Sequence, residues 1–275
     1  MRPIKRLALF LLVSLGTGGV AVLGFSGFAA AAEGNPILAP DVKQALASVD
    51  DQFGDLTTRM AGEVWGRPGL SNKERAFISL GADVCNQTLD GPLGFHAGMA
   101  LQHGATRADV REALLHMVIY GSFPKVLQSI VKLNELYAEY DTKGLYTTGD
   151  GLTEPPPGDQ NFVADPAVRE ALLGVDPHFG DLTSRMAGEV WGRGGLSQKE
   201  RAFVSLGADV CNQTLSGPLQ FHIDMAMRGG ATREQVREAL LHMTIYGSFP
   251  KVLQAIVAMN AHFATLDEKP SGSSQ

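Results

Sequence analysis

LSNKERAFISLGADVCNQTL at residues 70–89 returns as LSQKERAFVSLGADVCNQTL at residues 196–215. Cys85 recurs as Cys211, and the same offset of 126 residues carries Glu63 to Glu189, Trp65 to Trp191, Glu74 to Glu200, His96 to His222, His116 to His242 and Pro124 to Pro250. The chain therefore holds two copies of one unit. Inside the stretch Ser71 stands three residues before Glu74, a reciprocal capping pattern, and the run Arg75 to Asn86 behind it is predicted to be helical.

Outward from that stretch the apolar residues keep helical spacing. Val42, Ala45, Leu46 and Val49 share one face behind Pro40, and the pattern resumes from Phe53 to Val64 until Gly66-Arg67-Pro68-Gly69 ends it. Leu89-Asp90-Gly91-Pro92 reads as a turn, Leu93 to His103 as a helix stopped by Gly104, and Thr106 with Asp109 as the cap of a helix over Val110 to Tyr120. Gly121 to Pro124 breaks it, and Lys125 to Tyr140 forms the last helix. No segment alternates as a strand does, so the expected class is all-α, with units at 39–140 and 165–266 packed as a pseudo-dimer. Residues 141–164, with Gly149, Gly151, Pro155, Pro156, Pro157 and Gly158, read as an extended linker, and 267–275 as a disordered tail.

Arg2, Lys5 and Arg6 precede an uncharged stretch ending in Ala30 and Ala32, so residues 1–32 are expected to be a removed signal peptide and the protein to be exported, periplasmic or secreted. An uncleaved membrane anchor is the alternative, disfavoured by Gly16, Gly18, Gly19, Gly24 and Gly27. Loss of the leader removes three of 23 basic and none of 29 acidic residues, taking the net charge from −6 to −9. That balance argues against nucleic acid as a partner. Two cysteines are too few for a disulfide framework, and one-dimensional order leaves open whether they join each other, which needs α-carbons within about 7 Å.

The first candidate constellation is Glu74, Cys85 and His96, with its copy Glu200, Cys211 and His222. Eleven residues are about three helical turns, so Glu74 and Cys85 share a face, and the turn at Asp90 to Pro92 folds His96 back towards them. A carboxylate, a thiol and an imidazole meeting in a helical core suit proton relay. The plainer reading makes Cys85 a core filler and Glu74 a capping residue. Arg59, Arg67 and Arg75, copied as Arg185, Arg193 and Arg201, suit clamping an anionic substrate or lying on a solvated face. His116 and Tyr120, one turn apart, with copies His242 and Tyr246, either line a cavity or fill the core. Paired zinc-ligand spacings, a glycine-rich phosphate loop and a serine nucleophile elbow are missing from the sequence, so no metal or cofactor is expected. Differences between the copies, His103 to Gly229, Gly98 to Asp224, Gln102 to Arg228 and Asp90 to Ser216, gather around the helix carrying His96, so the two sites need not be identical.

Glu63 to Leu70, Arg75, Phe95-His96, Gly104-Ala105-Thr106 and Ile119 to Pro124 together resemble the carboxymuconolactone decarboxylase family, over about residues 50–137 and 176–263. The resemblance implies alkylhydroperoxidase-like helical domains and rings of six domains, hence a trimer of two-domain chains. In the decarboxylase branch it implies that His96 and His222 donate protons while Arg67 and Arg193 hold the substrate carboxylate, in cofactor-independent acid–base chemistry on a small carboxylated lactone or enolisable acid. In the hydroperoxidase branch Glu74, Cys85 and His96 match three of four relay positions. The second cysteine of that motif is Thr88 or Thr214 here, which points to a single-cysteine peroxidase served by an external thiol reductant. Export sits apart from the intracellular lactone enzymes, and a non-catalytic helical binding or assembly module is the third reading.

Overall fold

The structure is a computed structural model that describes residues 35–147, 149, 151–156 and 166–268. The leader expected at 1–32 lies outside the described residues, as do parts of the linker and the tail from 269 onward. Twelve α-helices and no strand occur among the described residues, six to each half. In the first half they are α1 (Pro40–Val49), α2 (Asp51–Trp65), α3 (Asn72–Asn86), α4 (Pro92–Gln102), α5 (Arg107–His116) and α6 (Phe123–Lys143). In the second they are α7 (Pro166–Val175), α8 (Pro177–Trp191), α9 (Gln198–Asn212), α10 (Pro218–Arg228), α11 (Arg233–His242) and α12 (Phe249–Glu268).

Local chemistry explains the helix starts. Ser71 and Glu74 form the full capping box ahead of α3, Ser197 and Glu200 repeat it ahead of α9, and Thr106 with Asp109 does the same for α5. The helix expected over Val110 to Tyr120 is shorter than its apolar pattern. α5 stops at His116, a 3-10 turn covers Met117–Ile119, and Ser122 takes φ 74° as the N-cap of α6, whose first turn holds Pro124. That tightening swings Tyr120 out of the helix line. At the other end α6 runs on past Tyr140 to Lys143, where Gly144 at φ 64° caps it in the left-handed region. Asp267 likewise belongs to α12, paired with Arg233 at 2.7 Å, and not to a loose tail.

The centre of the molecule is α3 against α9, each buried without interruption from its arginine to its cysteine. They run side by side in the same direction. Lys73 meets Glu200 at 2.9 Å and Lys199 meets Glu74 at 2.7 Å at their N-terminal ends, and the cysteines meet at the other. Midway the backbones touch: a Cβ on Gly81 would fall 2.8 Å from Val204 O, and one on Gly207 would fall 2.8 Å from Ile78 O. Phe77, Leu80, Phe203 and Leu206 are fully buried around this seam, each such side chain contributing about 1.5–3 kcal/mol. The two halves thus share one core. Phe123, Leu127 and Val131 on α6, and Phe249, Leu253 and Val257 on α12, form matching exposed apolar stripes. No helix among the described residues is long and apolar enough to cross a membrane.

Candidate active site

Two polar ladders run through this apolar core. Arg75, Ser79 and Asp83 are spaced four apart on α3, so they share one face, and all are buried. Glu238, His242 and Tyr246 have the same spacing on α11 and the turn after it. The ladders face each other across the halves. Ser79 Oγ lies 2.9 Å from His242 Nε2, and His242 Nδ1 lies 3.4 Å from Arg75 Nη1. Arginine only donates, so Nδ1 of His242 is the acceptor and Nε2–H donates to Ser79, whose hydroxyl donates to Arg75 O at 3.0 Å. Burial first, then the neighbouring Arg75, pushes the His242 pKa well down, so the ring is neutral.

The chain of contacts ends at His96. Its Nδ1–H donates to Asp83 Oδ2 at 2.6 Å, while the Thr88 hydroxyl donates to Oδ1 of the same carboxylate at 2.6 Å. His96 Nε2 faces Tyr246 Oη at 3.0 Å. Trp65 Nε1–H donates to that phenol oxygen at 2.8 Å, which leaves the tyrosine proton for His96. Burial raises the Tyr246 pKa, so the phenol is neutral. Carboxylate, imidazole and phenol in line suit general acid–base work: Asp83 fixes the tautomer and steadies the imidazolium that forms when Nε2 takes a proton.

The second site repeats the first with the halves exchanged. His222 Nδ1 meets Asp209 at 2.6 Å, its Nε2 meets Tyr120 Oη at 3.0 Å, and Trp191 donates to Tyr120 at 2.8 Å. Ser205 meets His116 at 2.9 Å, and burial pushes the His116 pKa well down. Each site therefore takes its Asp–His pair from one half and its tyrosine, second histidine and glutamate from the other.

The arginine mouths differ. Arg67 forms a bidentate pair with Glu238 at 2.8 and 2.6 Å, and Arg75 Nη2 donates to the backbone oxygens of Arg67 and Pro68. In the second site Glu112 accepts from Arg193 Nε at 2.9 Å and also from the buried Arg201 at 3.1 Å. There the linker closes in: Thr153 donates to both carboxylate oxygens of Asp109, and Leu152 packs against Gly194 and Gly195. A cavity of about 350 Å³ remains between Arg107, Arg111, Glu112, Tyr137, Leu152 and Arg193.

The structure does not bring Glu74 to Cys85 and His96. Glu74 and Cys85 do share a helix, but three turns separate them by roughly 16 Å. Glu74 is held by Ser71 and Lys199; burial opposes ionisation, yet the Lys199 and Ser71 hydrogen bonds hold its carboxyl below the usual range. Glu200 is held likewise by Ser197 and Lys73. Cys85 lies against Cys211, and His96 against Asp83. Arg59 and Arg185 form exposed pairs with Asp55 and Asp181. His116 and Tyr120 do lie together, ring centroids 5.4 Å apart, with His222 of the other half beside Tyr120. Asp83, Ser79, Glu112 and Trp65, with their copies, were not singled out by sequence reasoning. For Ser79, Asp83 and Glu112 the signal was polarity at i, i+4 and i+8 along one helix face, which burial tolerates only when partners exist; Trp65 carries no such pattern. Among the described residues no group of three or more His, Cys, Asp or Glu is arranged to hold a metal ion.

Comparison with known proteins finds decarboxylase-named relatives of this sequence. A nitrosuccinic acid decarboxylase from Metarhizium robertsii is 33% identical over 93 residues, 34% of this chain and 64% of that protein. A 4-carboxymuconolactone decarboxylase from Acinetobacter baylyi is 30% identical over 82 residues, 30% of this chain and 60% of that protein. The chain spans less than two thirds of the length of either relative. A solved chain described as a gamma-carboxymuconolactone decarboxylase subunit from Burkholderia xenovorans LB400 aligns with a TM-score of 0.48 at 26% identity, covering 81% of this chain and 90% of that one. The profile of the carboxymuconolactone decarboxylase family matches residues 51–133 and again 177–261, more than half of the sequence, and the chain belongs to that family as a tandem duplicate.

Proposed function

We propose that the protein is a cofactor-independent acid–base enzyme, a carboxy-lyase acting on a small carboxylated lactone or enolisable acid at two sites. The observation that carries this reading is the Asp83–His96–Tyr246 chain with its counterpart Asp209–His222–Tyr120. Loss of carbon dioxide leaves an enolate-like carbanion that needs a proton and a positive neighbour. At rest Nε2 of His96 or His222 accepts from its tyrosine; once Nε2 takes a proton from solvent, forming the imidazolium that the aspartate steadies, it delivers that proton to the carbanion and the tyrosine hydroxyl is released to donate to a substrate oxygen. Arg67 spends Nε and Nη2 on Glu238, which leaves Nη1 for a substrate carboxylate; Arg193 has both terminal nitrogens beyond its Nε contacts. The two relatives are named as decarboxylases of nitrosuccinic acid and of 4-carboxymuconolactone, which supports this substrate class.

The test is a panel of small lactone and enolisable dicarboxylic acids followed in deuterium oxide by NMR, for bicarbonate release and for deuterium at the carbon that lost it. Release that vanishes in the His96→Ala/His222→Ala chain is the expected result; release that is unaffected by that double change removes the assignment. Export through residues 1–32 is a proposal of the same standing, checked by the N-terminus of material collected outside the cytoplasm. The trimer of two-domain chains is another, supported by the apolar stripes on α6 and α12 and checked by light scattering, where a monomer at micromolar concentration rejects it.

A further inference from the structure

The acid–base sites leave Cys85 and Cys211 unused, although these two buried thiols meet at the C-terminal ends of α3 and α9. We propose that Cys85 and Cys211 are a thiol–disulfide redox pair, a modification site at which a low-molecular-weight disulfide joins the two halves of the chain covalently.

The geometry begins with Gly81 and Gly207, where the two helix backbones touch. Each cysteine lies four residues further along the same face, so the side chains face each other across the seam. The thiols hydrogen-bond to one another, and each also receives the side chain of the asparagine beside its partner, Asn212 at Cys85 and Asn86 at Cys211. Lys125 Nζ donates to Cys85 O and Lys251 Nζ to Cys211 O, both at 2.6 Å, so an ammonium stands at each cysteine's carbonyl and its charge favours the thiolate form. One proton is shared: the bond from Cys85 lowers the Cys211 thiol, while the same bond and then burial raise the Cys85 thiol. Two thiols in contact, one of them favoured for losing its proton, are the starting arrangement for exchange.

The reaction balances in two steps. The Cys211 thiolate attacks one sulfur of the external disulfide, forming a mixed disulfide and expelling one thiolate. Cys85 then attacks the Cys211 sulfur, the protein disulfide forms, and the second external thiolate leaves with the proton from Cys85. The external disulfide is reduced to two thiols and the protein pair is oxidised by two electrons. Asn86 Nδ2 also donates to Tyr246 O and Asn212 Nδ2 to Tyr120 O, each at 3.1 Å, so the bridge forms one residue away from both catalytic tyrosines.

The experiment exposes the folded, reduced chain to oxidised glutathione, then alkylates under denaturing conditions and reads the intact mass and peptide map. The expected product is a chain two hydrogens lighter, with no glutathione adduct, no alkylation until dithiothreitol is added, and the Cys85 and Cys211 peptides joined within one chain. Cys211→Ser is expected to stop at no more than one glutathione adduct on Cys85. If that variant misfolds, the wild-type map decides alone. Two alkylatable thiols, two stable glutathione adducts, or a disulfide between chains in the wild type would overturn the pairing.

Discussion

The two sites agree where chemistry is expected and differ where substrate would enter. Their Asp–His–Tyr–Trp distances match to the tenth of an ångström, whereas Glu238 holds one guanidinium and Glu112 holds two. The described residues of the linker reach the second mouth, through Thr153 and Leu152. The helices carrying the histidines also diverge, for local reasons. Gly98 lies under Tyr146, where a Cβ would come 3.0 Å from the phenol oxygen, while its counterpart Asp224 pairs with His262 at 2.8 Å. His103 contacts Asn72, whereas Gly229 sits where a Cβ would fall 2.6 Å from Lys199 N. Duplicated units hold their proton-transfer geometry more tightly than the surface around it.

The largest effect that can break this comparison is on turnover. His96→Ala/His222→Ala is expected to lose about 10²–10⁴-fold. Each single change removes one site's share, and Tyr246→Phe should follow His96→Ala and not His222→Ala, because Tyr246 serves the first site. Equal behaviour of Tyr246→Phe and Tyr120→Phe on a background lacking His222 would contradict the exchange of halves.

Stability gives the next test, through the glutamates. Glu112→Gln leaves Arg201, which is fully buried, without its carboxylate, and is expected to cost about 3–5 kcal/mol in chemical denaturation. Glu238→Gln releases Arg67, whose side chain is 37% exposed, and removes the carboxylate whose charge favours the buried Arg75 without breaking a hydrogen bond to it, so it should cost less, about 1–2 kcal/mol. Equal losses would mean that the second arginine at Glu112 contributes nothing.

Acid should act on both halves alike. His116 and His242 are held neutral by burial, so below pH 6.5, the ordinary histidine value, the unfolded chain binds protons that the folded chain refuses. Their stabilising effect is fully present above that pH and is lost as pH falls, at roughly 1.4 kcal/mol per pH unit for each ring. Denaturation midpoints between pH 7 and 5 in His116→Gln and His242→Gln should each show about half the wild-type slope; unequal slopes would extend the asymmetry of the mouths into the core. The smallest expected effect is Thr153→Ala, about 1 kcal/mol from the lost hydroxyl hydrogen bond on a part-exposed segment, read as faster proteolysis of the linker.

Much of the scaffold was legible because its signals are local. The Ser71–Glu74 and Thr106–Asp109 boxes each need only four consecutive residues, and both stand where the spacing put them. The site was only partly legible because its partners are far apart in sequence. His96 was singled out, but Asp83 and Tyr246 lie on opposite sides of it in the chain, and nothing in a periodicity argument tells a helix which tyrosine it will meet across a seam. Cys85 and Glu74 misled for a related reason: a shared helix face fixes direction around the axis but not distance along it, and three turns exceed any hydrogen bond.

The division of each site between the halves has a consequence for how the protein can change. In a pair of identical subunits one altered codon alters every copy of a site at once. In this chain His222 and Tyr246 lie on the same half yet serve different sites. A single substitution at either therefore touches one site and spares the other, so one site can drift while its neighbour stays as it was.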